Sequence, residues 1–227
     1  PQPRRSPGAE RQEADQQRQH AAAVERRLVR LRRACPGRRD LDDATWARWM
    51  PIVLGYPRSS GINDADDVHV QVMLAAASRQ PAELVRWVVK AIEAENREGE
   101  GHLWVLHRLR PVDAPEITRA LTEKIADPAL VARARADLVE HVMRIDAPAA
   151  IAEATPFVTV DQAARDAGTP VAIGAVLLSH APARAWLLLE PLFEAMPTHG
   201  VEIVGAVAYG EHTDIGGQLD DDALARL

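Results

Sequence analysis

The central part of the chain places hydrophobic residues at helical spacing behind four evenly separated prolines. Pro81, Pro115, Pro148 and Pro182 lie 34, 33 and 34 residues apart, and apolar residues recur every three or four positions after each of them. Proline is tolerated in the first turn of a helix, because its missing amide hydrogen would have no intrahelical partner there. The pattern therefore predicts four helices that begin at these prolines.

The same spacing predicts which side chains these helices bury. The inward residues are expected to be Leu84, Val85, Val88 and Ile92 in the first helix, Ile117, Leu121 and Ile125 in the second, Ile151 and Phe157 in the third, and Trp186, Leu189 and Phe193 in the fourth. Every tryptophan except Trp49 falls on an inward face of this kind, so we expect Trp46, Trp87 and Trp104 to be core residues as well.

A second helix is predicted between successive prolines. These helices cover residues 102–109, 128–145 and 170–180. Asp127 and Thr169 precede a proline directly, and both are residue types that cap helix N-termini. The chain from about residue 67 onward is thus expected to consist of helix pairs.

The fold predicted from this pattern is all-α. A strand competes only at residues 158–160 and 201–210, and Glu202 with Gly205 favours a helix in the second segment. Helix pairs with a period of about 34 residues predict an α-solenoid of HEAT-like two-helix repeats. The Trp-x-x-Leu-Gly-x-x-Tyr signature of tetratricopeptide repeats does not occur in the sequence.

Three further elements are predicted before the first of these prolines. A long helix with a narrow apolar seam is expected over residues 9–35, and a shorter helix over 40–53 with Asp40 or Asp42 as its N-cap. Residues 55–66, with the sequence GYPRSSGINDAD, are turn-forming throughout and predict a loop.

Charge is distributed unevenly between the two ends of the chain. Residues 1–39 contain eleven arginines and four acidic residues, while the whole chain has a net charge of -6, so the surface after residue 40 should be mainly acidic. We predict a basic, partly disordered segment with one amphipathic helix over 1–39 and an α-helical repeat domain over 40–227. The sequence ends in LDDDALARL, which resembles the start of another helix, so the repeat domain is expected to continue in a larger parent protein.

Motifs that carry chemistry are missing from the sequence. Cys35 is the only cysteine, so no internal disulfide can form. The sequence contains no phosphate-binding loop, no Gly-x-Ser-x-Gly elbow and no His-Glu-x-x-His zinc motif. Asp113 and Asp146 recur in a repeated Asp-Ala-Pro phrase and are interpreted as turn residues between helices. We therefore predict no catalytic, cofactor-binding or metal-binding residue, no cofactor and no enzyme activity.

The strongest local signal is a cluster of arginines at the end of the first predicted helix. The candidate partner-binding residues are Arg26, Arg30, Arg33, Arg38 and Arg39. Arginines along a helix can form a phosphate-binding stripe, which would favour nucleic acid as a partner. The other interpretation is that they stabilise the helix C-terminus and hold the helix against the acidic remainder. This second interpretation is preferred, since no aromatic residue lies between the arginines to stack on bases.

The C-terminal third resembles a known family. Residues 168–208, GTPVAIGAVLLSHAPARAWLLLEPLFEAMPTHGVEIVGAVA, are followed by LDDDALARL. This order of a leucine-rich phrase ending in His-Ala-Pro, an aromatic-rich helix and a further leucine-rich helix is similar to the helical-repeat region of large bacterial NACHT or STAND-type NTPases. The resemblance implies a sensor or scaffold segment of a signal-transducing ATPase, a class with many members in antiphage defence.

The function expected from these observations is a non-catalytic scaffold or sensor that binds a protein partner or other domains of the same parent protein. A nucleic-acid-binding module that uses the arginine-rich helix is the alternative. An enzyme assembled from scattered Asp, Glu and His side chains is a further alternative, which no motif supports. No segment is apolar enough to span a bilayer and the N-terminus lacks a signal-peptide core, so we expect no membrane contact and a cytoplasmic location.

Overall fold

The structure is a computed structural model that describes residues 42–54, 63–98, 101–110, 112 and 114–209. This part of the chain is helical and contains no strand, which confirms the all-α prediction. Its elements are α1 (Asp43–Leu54), α2 (Asn63–Arg79), α3 (Pro81–Arg97), α4 (Trp104–Leu109), α5 (Pro115–Ile125), α6 (Ala132–Met143), α7 (Ala147–Ala154), a 3-10 turn (Thr155–Phe157), α8 (Val160–Arg165), α9 (Gly168–His180), α10 (Pro182–Ala195) and α11 (Pro197–Tyr209).

The chain divides into two compact units, Pro1–Trp87 and Val88–Leu227, and the division falls inside helix α3. In the first unit α1 packs against α2. Their buried residues are Trp46, Met50, Val53, Leu54, Met73 and Ala76. The helix predicted over 9–35 and the domain boundary predicted after residue 39 lie outside the described residues.

The start of α1 is capped by Asp42. Its carboxylate accepts a hydrogen bond from the backbone amide of Thr45 at 2.7 Å, so of the two candidate caps Asp42 is confirmed. The loop predicted over 55–66 is wrong at its end, because α2 already begins at Asn63. Residues 55–62 lie outside the described part.

The four helices predicted at the spaced prolines form at those positions. Helices α3, α5 and α10 begin with Pro81, Pro115 and Pro182, and α7 has Pro148 as its second residue. All the residues predicted to face inward on these helices are buried or half-buried. Local chemistry at the first turn was therefore enough to locate these helices.

The third of these helices is interrupted. α7 ends at Ala154, the 3-10 turn follows, and α8 begins after Thr159, whose hydroxyl oxygen accepts a hydrogen bond from the Gln162 amide at 3.2 Å. Pro156 accounts for the interruption, because it lacks the amide hydrogen that would bond to the carbonyl of Ala152 in a continuous α-helix. Neither competing strand is present in the described residues: 158 and 159 form a bend before α8, and 201–209 belong to α11.

Two of the second helices begin later or earlier than predicted. α6 begins at Ala132 instead of Pro128, because the Asp127 carboxylate accepts a hydrogen bond from the Ala129 amide at 2.8 Å and forms a separate turn. α9 begins at Gly168, so Thr169 is a buried residue of its first turn and not a cap. The Asp166 carboxylate instead accepts hydrogen bonds at the start of α9, from the Gly168 amide at 3.0 Å and from the Thr169 hydroxyl.

In the second unit the second helices form a contiguous row. α4 contacts α6, α6 contacts α9, and α9 contacts α11, while α5 and α7 pack against α6 and α10 packs against α9 and α11. Gly174 allows α9 and α11 to approach closely, since a β-carbon there would lie 2.8 Å from the Ile203 side chain. The row α4, α6, α9 and α11 presents the surface that contains the candidate site.

Candidate functional site

A cavity of about 340 Å³ opens between α4 and α6. The segment that enters α4 is positioned by Gly101, which has a φ of +65° and whose missing side chain leaves room for Val131 and Arg133. A β-carbon on Gly101 would lie 2.7 Å from the Val131 side chain. This close approach brings His102 and Trp104 against the first turns of α6.

The carboxylate of Asp137 links the two walls of the cavity. Asp137 is 9 % exposed and accepts a hydrogen bond from the Leu103 amide at 2.9 Å. Its oxygens also lie 2.7 Å from Nδ1 of His102 and 3.2 Å from Nε of Arg133. These partners offset the cost of burying the charge, and the contacts with Leu103 and His102 tie Asp137 to the segment that enters α4.

Three aromatic rings line the mouth of the cavity. His102 packs edge-on against Trp104 with ring centres 4.4 Å apart, and His107 lies 5.7 Å from both rings. Trp104 is 57 % exposed, so its predicted inward orientation is wrong. The helical spacing of α4 instead buries Val105, Leu106 and Leu109, because a six-residue helix offers only one narrow face to the core.

His141 lies at the base of the cavity and is 5 % exposed. Burial lowers its pKa to about 4, and the charges of Arg144, Arg110 and His107 act in the same direction. Its imidazole is therefore neutral at pH 7 and carries one N–H donor. The pKa of His107 is also lowered, first by burial and then by Arg110, so a positive potential reaches both rings.

The cavity that contains these rings is also lined by three arginines and by only two carboxylates. Arg133 pairs with Asp137, and Arg144 pairs with Glu140 one turn away on α6. Arg110, at the C-terminal end of α4, is exposed and makes no ion pair with a carboxylate in the part of the chain that the structure describes. The expected acidic surface is therefore not found at this cavity.

A second cavity of about 360 Å³ adjoins the first between α6, α9 and α11, and it shares Arg133, Asp137 and Glu140 with it. Its floor consists largely of small side chains: Ala136, Ala172, Ala175, Val176 and Ala206. We refer to the two adjoining cavities together as the groove. All of its residues belong to the second unit.

The sequence-predicted candidates Arg26, Arg30, Arg33, Arg38 and Arg39 lie outside the described residues. A signal for the groove was present in the sequence, because Arg133, Asp137, Glu140 and Arg144 recur at intervals of four, three and four positions, with His141 next to Glu140, and form a polar stripe along α6.

No group of three His, Cys, Asp or Glu side chains within the described ranges has the geometry to hold a metal ion. None of the helices α1 to α11 is long and apolar enough to cross a membrane. The groove is thus the candidate site that the geometry offers.

Comparison of the chain with family models, with curated proteins and with solved structures found no match. The groove and the chemistry of its side chains are therefore the features that indicate a function.

Proposed function

We propose that the chain is a non-catalytic helical-repeat segment of the HEAT-like type that binds a protein partner in the groove. The observation that carries the proposal is the position of the groove. It runs across α4, α6, α9 and α11, which are contributed by successive helix pairs, and solenoids use such a shared surface for extended partners.

Polar contacts between successive pairs support the repeat architecture. The Asn96 side chain donates to the Ala129 carbonyl at 2.9 Å and accepts from the Val131 amide at 2.9 Å, and these partners lie 33 and 35 residues away. Lys124 donates to Glu93 at 2.8 Å across 31 residues, and the contact of Asp137 with Leu103 spans 34 residues. In a solenoid each repeat contacts its neighbour at separations close to one period.

The engagement of the ionisable groups supports a binding role over catalysis. A general base needs a titratable group that is close to its substrate and has a pKa near the working pH. Asp137 and Glu140 are paired with Arg133 and Arg144, and His141 has its pKa shifted to about 4. These residues are therefore better suited to contact a ligand than to transfer its protons.

The setting that we propose is the repeat region of a large bacterial signalling NTPase of the NACHT or STAND type, located in the cytoplasm and acting in antiphage defence. This part of the proposal rests on the resemblance of residues 168–208 to that family. The partner is then either a separate protein or another domain of the parent protein.

Photocrosslinking at the groove tests the proposal. Benzoylphenylalanine is introduced in place of Trp104 or Ala206, which are exposed and line one cavity each. The control positions are Arg119 on α5 and Ala183 on α10, which are exposed and outside the groove. The full chain is expressed in its native cells, irradiated and analysed for covalent adducts by mass spectrometry.

The expected result is one protein adduct common to the Trp104 and Ala206 positions and largely missing at the two control positions. Equal labelling at all four positions, or no protein adduct in the groove, would contradict a docking role. Adducts with nucleic acid at the groove positions would favour the nucleic-acid alternative instead.

A further inference from the structure

We propose that the occupant of the groove is an acidic peptide segment, with one carboxylate held at Arg110 and Arg144 above His141. This inference rests on the proposed function and specifies the chemistry of the partner. It follows from three features of the groove: an unbalanced positive charge, a buried neutral donor and a floor of small side chains.

The positive charge has no internal counterpart in the described residues. Of the three arginines in the first cavity, Arg133 and Arg144 each pair with one carboxylate on α6, whereas Arg110 pairs with none that the structure describes. Arg144 keeps its side chain 36 % exposed while it contacts Glu140, so it retains donors that face the cavity. A ligand carboxylate would complete this arrangement with charge-assisted hydrogen bonds.

His141 provides a polar contact at the base of the same cavity. The His141 ring is 5 % exposed and lines the cavity, so its N–H can donate to a ligand oxygen in the cavity. Burial is the main cause of the lowered pKa of His141, and the charges of Arg144 and Arg110, which line the same cavity, add to it. An anion above His141 therefore lies where the local potential is positive.

The remainder of the groove suits an extended backbone. The small residues Ala136, Ala172 and Ala175 line the second cavity, and Trp104 offers an exposed aromatic surface in the first. Aromatic side chains with low conformational entropy are favourable contacts in recognition surfaces. A peptide in which an acidic residue lies between small or apolar residues fits these surfaces. Its carboxylate would contact the arginines, and its small or apolar residues would contact the alanines and Trp104.

A peptide is favoured over a nucleic-acid strand by the carboxylates of the groove. Binding of a phosphodiester backbone requires a series of unopposed cations, since each nucleotide adds a negative charge. Asp137 and Glu140 lie between the arginines and would repel a second and third phosphate. A single carboxylate at Arg110 avoids this repulsion.

The test uses two short fluorescein-labelled peptides, one with a single Glu between Ala residues and a matched one with Gln in place of that Glu. The protein is the full chain with Arg26, Arg30, Arg33, Arg38 and Arg39 replaced by Gln, so that the N-terminal cluster does not contribute to the signal. Fluorescence anisotropy at low salt is measured for this background and for the same background with Arg110→Ala, Trp104→Ala or Arg119→Ala. Arg119 is exposed on α5 outside the groove and loses the same charge.

We expect the Glu peptide to bind more tightly than the Gln peptide. Arg110→Ala should weaken binding of the Glu peptide about tenfold, as the loss of one charge-assisted contact requires, while Arg119→Ala leaves it unchanged. Equal loss in the Arg110 and Arg119 variants, or no preference for Glu over Gln, would overturn the inference. Tighter binding of a single-stranded oligonucleotide to the same site would also overturn it. If one of these contrary results is obtained but the groove positions still form photocrosslinks to a protein, the proposed protein-binding function is retained. Only the inference that the bound segment is acidic is then rejected.

Discussion

The guanidinium carbon of Arg135 lies 4.2 Å from the centre of the Phe157 ring. Arg135 is 5 % exposed, and it donates from Nε to the Ile125 carbonyl at 3.0 Å and from Nη2 to the Asp127 carbonyl at 2.7 Å. One buried side chain on α6 thus binds the carbonyl groups at the end of α5 and stacks on the turn after α7. Its charge interacts favourably with the negative end of the α5 dipole.

Replacement of this arginine should destabilise the second unit. Arg135→Met keeps the apolar stem but leaves two carbonyls without their donor, so we expect a loss of about 2 kcal/mol in the free energy of unfolding. Arg135→Lys should recover only part of it, because an ammonium group cannot donate to both carbonyls as a planar fork. Chemical denaturation measures the loss. Arg119→Ala, on the exposed side of α5, should change stability by less than about 0.5 kcal/mol, and an equal loss in both variants would contradict this role.

The Asn96 bridge predicts a local change in hydrogen exchange. Asn96→Ala removes the acceptor of the Val131 amide, so this amide should exchange much faster while those in the middle of α9 keep their protection. Stability should fall by about 1 kcal/mol. Glu98→Ala, an exposed change two residues away, serves as the control. Unaltered exchange at Val131 in the Asn96 variant would show that the bridge does not hold the two segments together.

Stability should depend on pH through His141. Its folded pKa of about 4 is below the unfolded value, so the unfolded chain takes up a proton between about pH 6.5 and 4 that the folded chain does not. Above this pH range the neutral ring makes its full contribution to the free energy of unfolding. This contribution is lost as the pH falls, and the free energy of unfolding then decreases by up to about 1.4 kcal/mol per pH unit. His141→Gln should reduce this slope, as measured by denaturation at several pH values. A His141 resonance that titrates near pH 6.5 in the folded protein would refute the assignment.

Substitutions of Asp146 test whether this residue caps helix α7 or contacts a partner at a binding surface. Its Oδ1 accepts a hydrogen bond from the Ala149 amide at 3.1 Å at the start of α7. Asp146→Ala should cost about 1 kcal/mol, and Asp146→Asn much less, since asparagine also caps helices. Thermal melting measures both. Loss of partner binding without a change in stability would show that Asp146 acts at a binding surface instead.

The two tryptophans with opposite exposure should respond differently to truncation. Trp186 is 6 % exposed and packs against Phe193 with ring centres 5.3 Å apart, so Trp186→Ala should cost about 3 to 5 kcal/mol. Trp104→Ala should cost less than about 0.5 kcal/mol because Trp104 makes its contacts at the surface. Melting temperatures of the two variants make the comparison, and an unchanged value for Trp186→Ala would contradict its place in the core.

The elements predicted correctly are those specified by local chemistry. A proline in the first turn and a run of apolar residues at helical spacing both act within a few residues, so the starts of α3, α5 and α10 followed from the sequence. The start of α6 did not, because Asp127 can cap either a helix or a short turn and the packing of Leu130 decides between them.

The groove was not predicted because it depends on distant contacts. Asp137 and Arg135 appear in the sequence ARARAD as ordinary surface residues, and each is buried by a partner far along the chain: Leu103 for Asp137 and Phe157 for Arg135. Burial of a charge requires such partners. The spacing along a single helix indicates a polar stripe, whereas only the packing of α4 on α6 makes a cavity from it.

The most direct measurement of the central claim is the yield of the protein adduct from benzoylphenylalanine at Ala206, compared between the otherwise unchanged chain, its Arg110→Ala variant and its Arg119→Ala variant. Arg110 lines the other cavity, so the substitution does not alter the labelled position. If the groove holds a protein partner through its positive end, the yield falls about tenfold with Arg110→Ala and is unchanged with Arg119→Ala. A yield that is the same in all three chains would contradict the account.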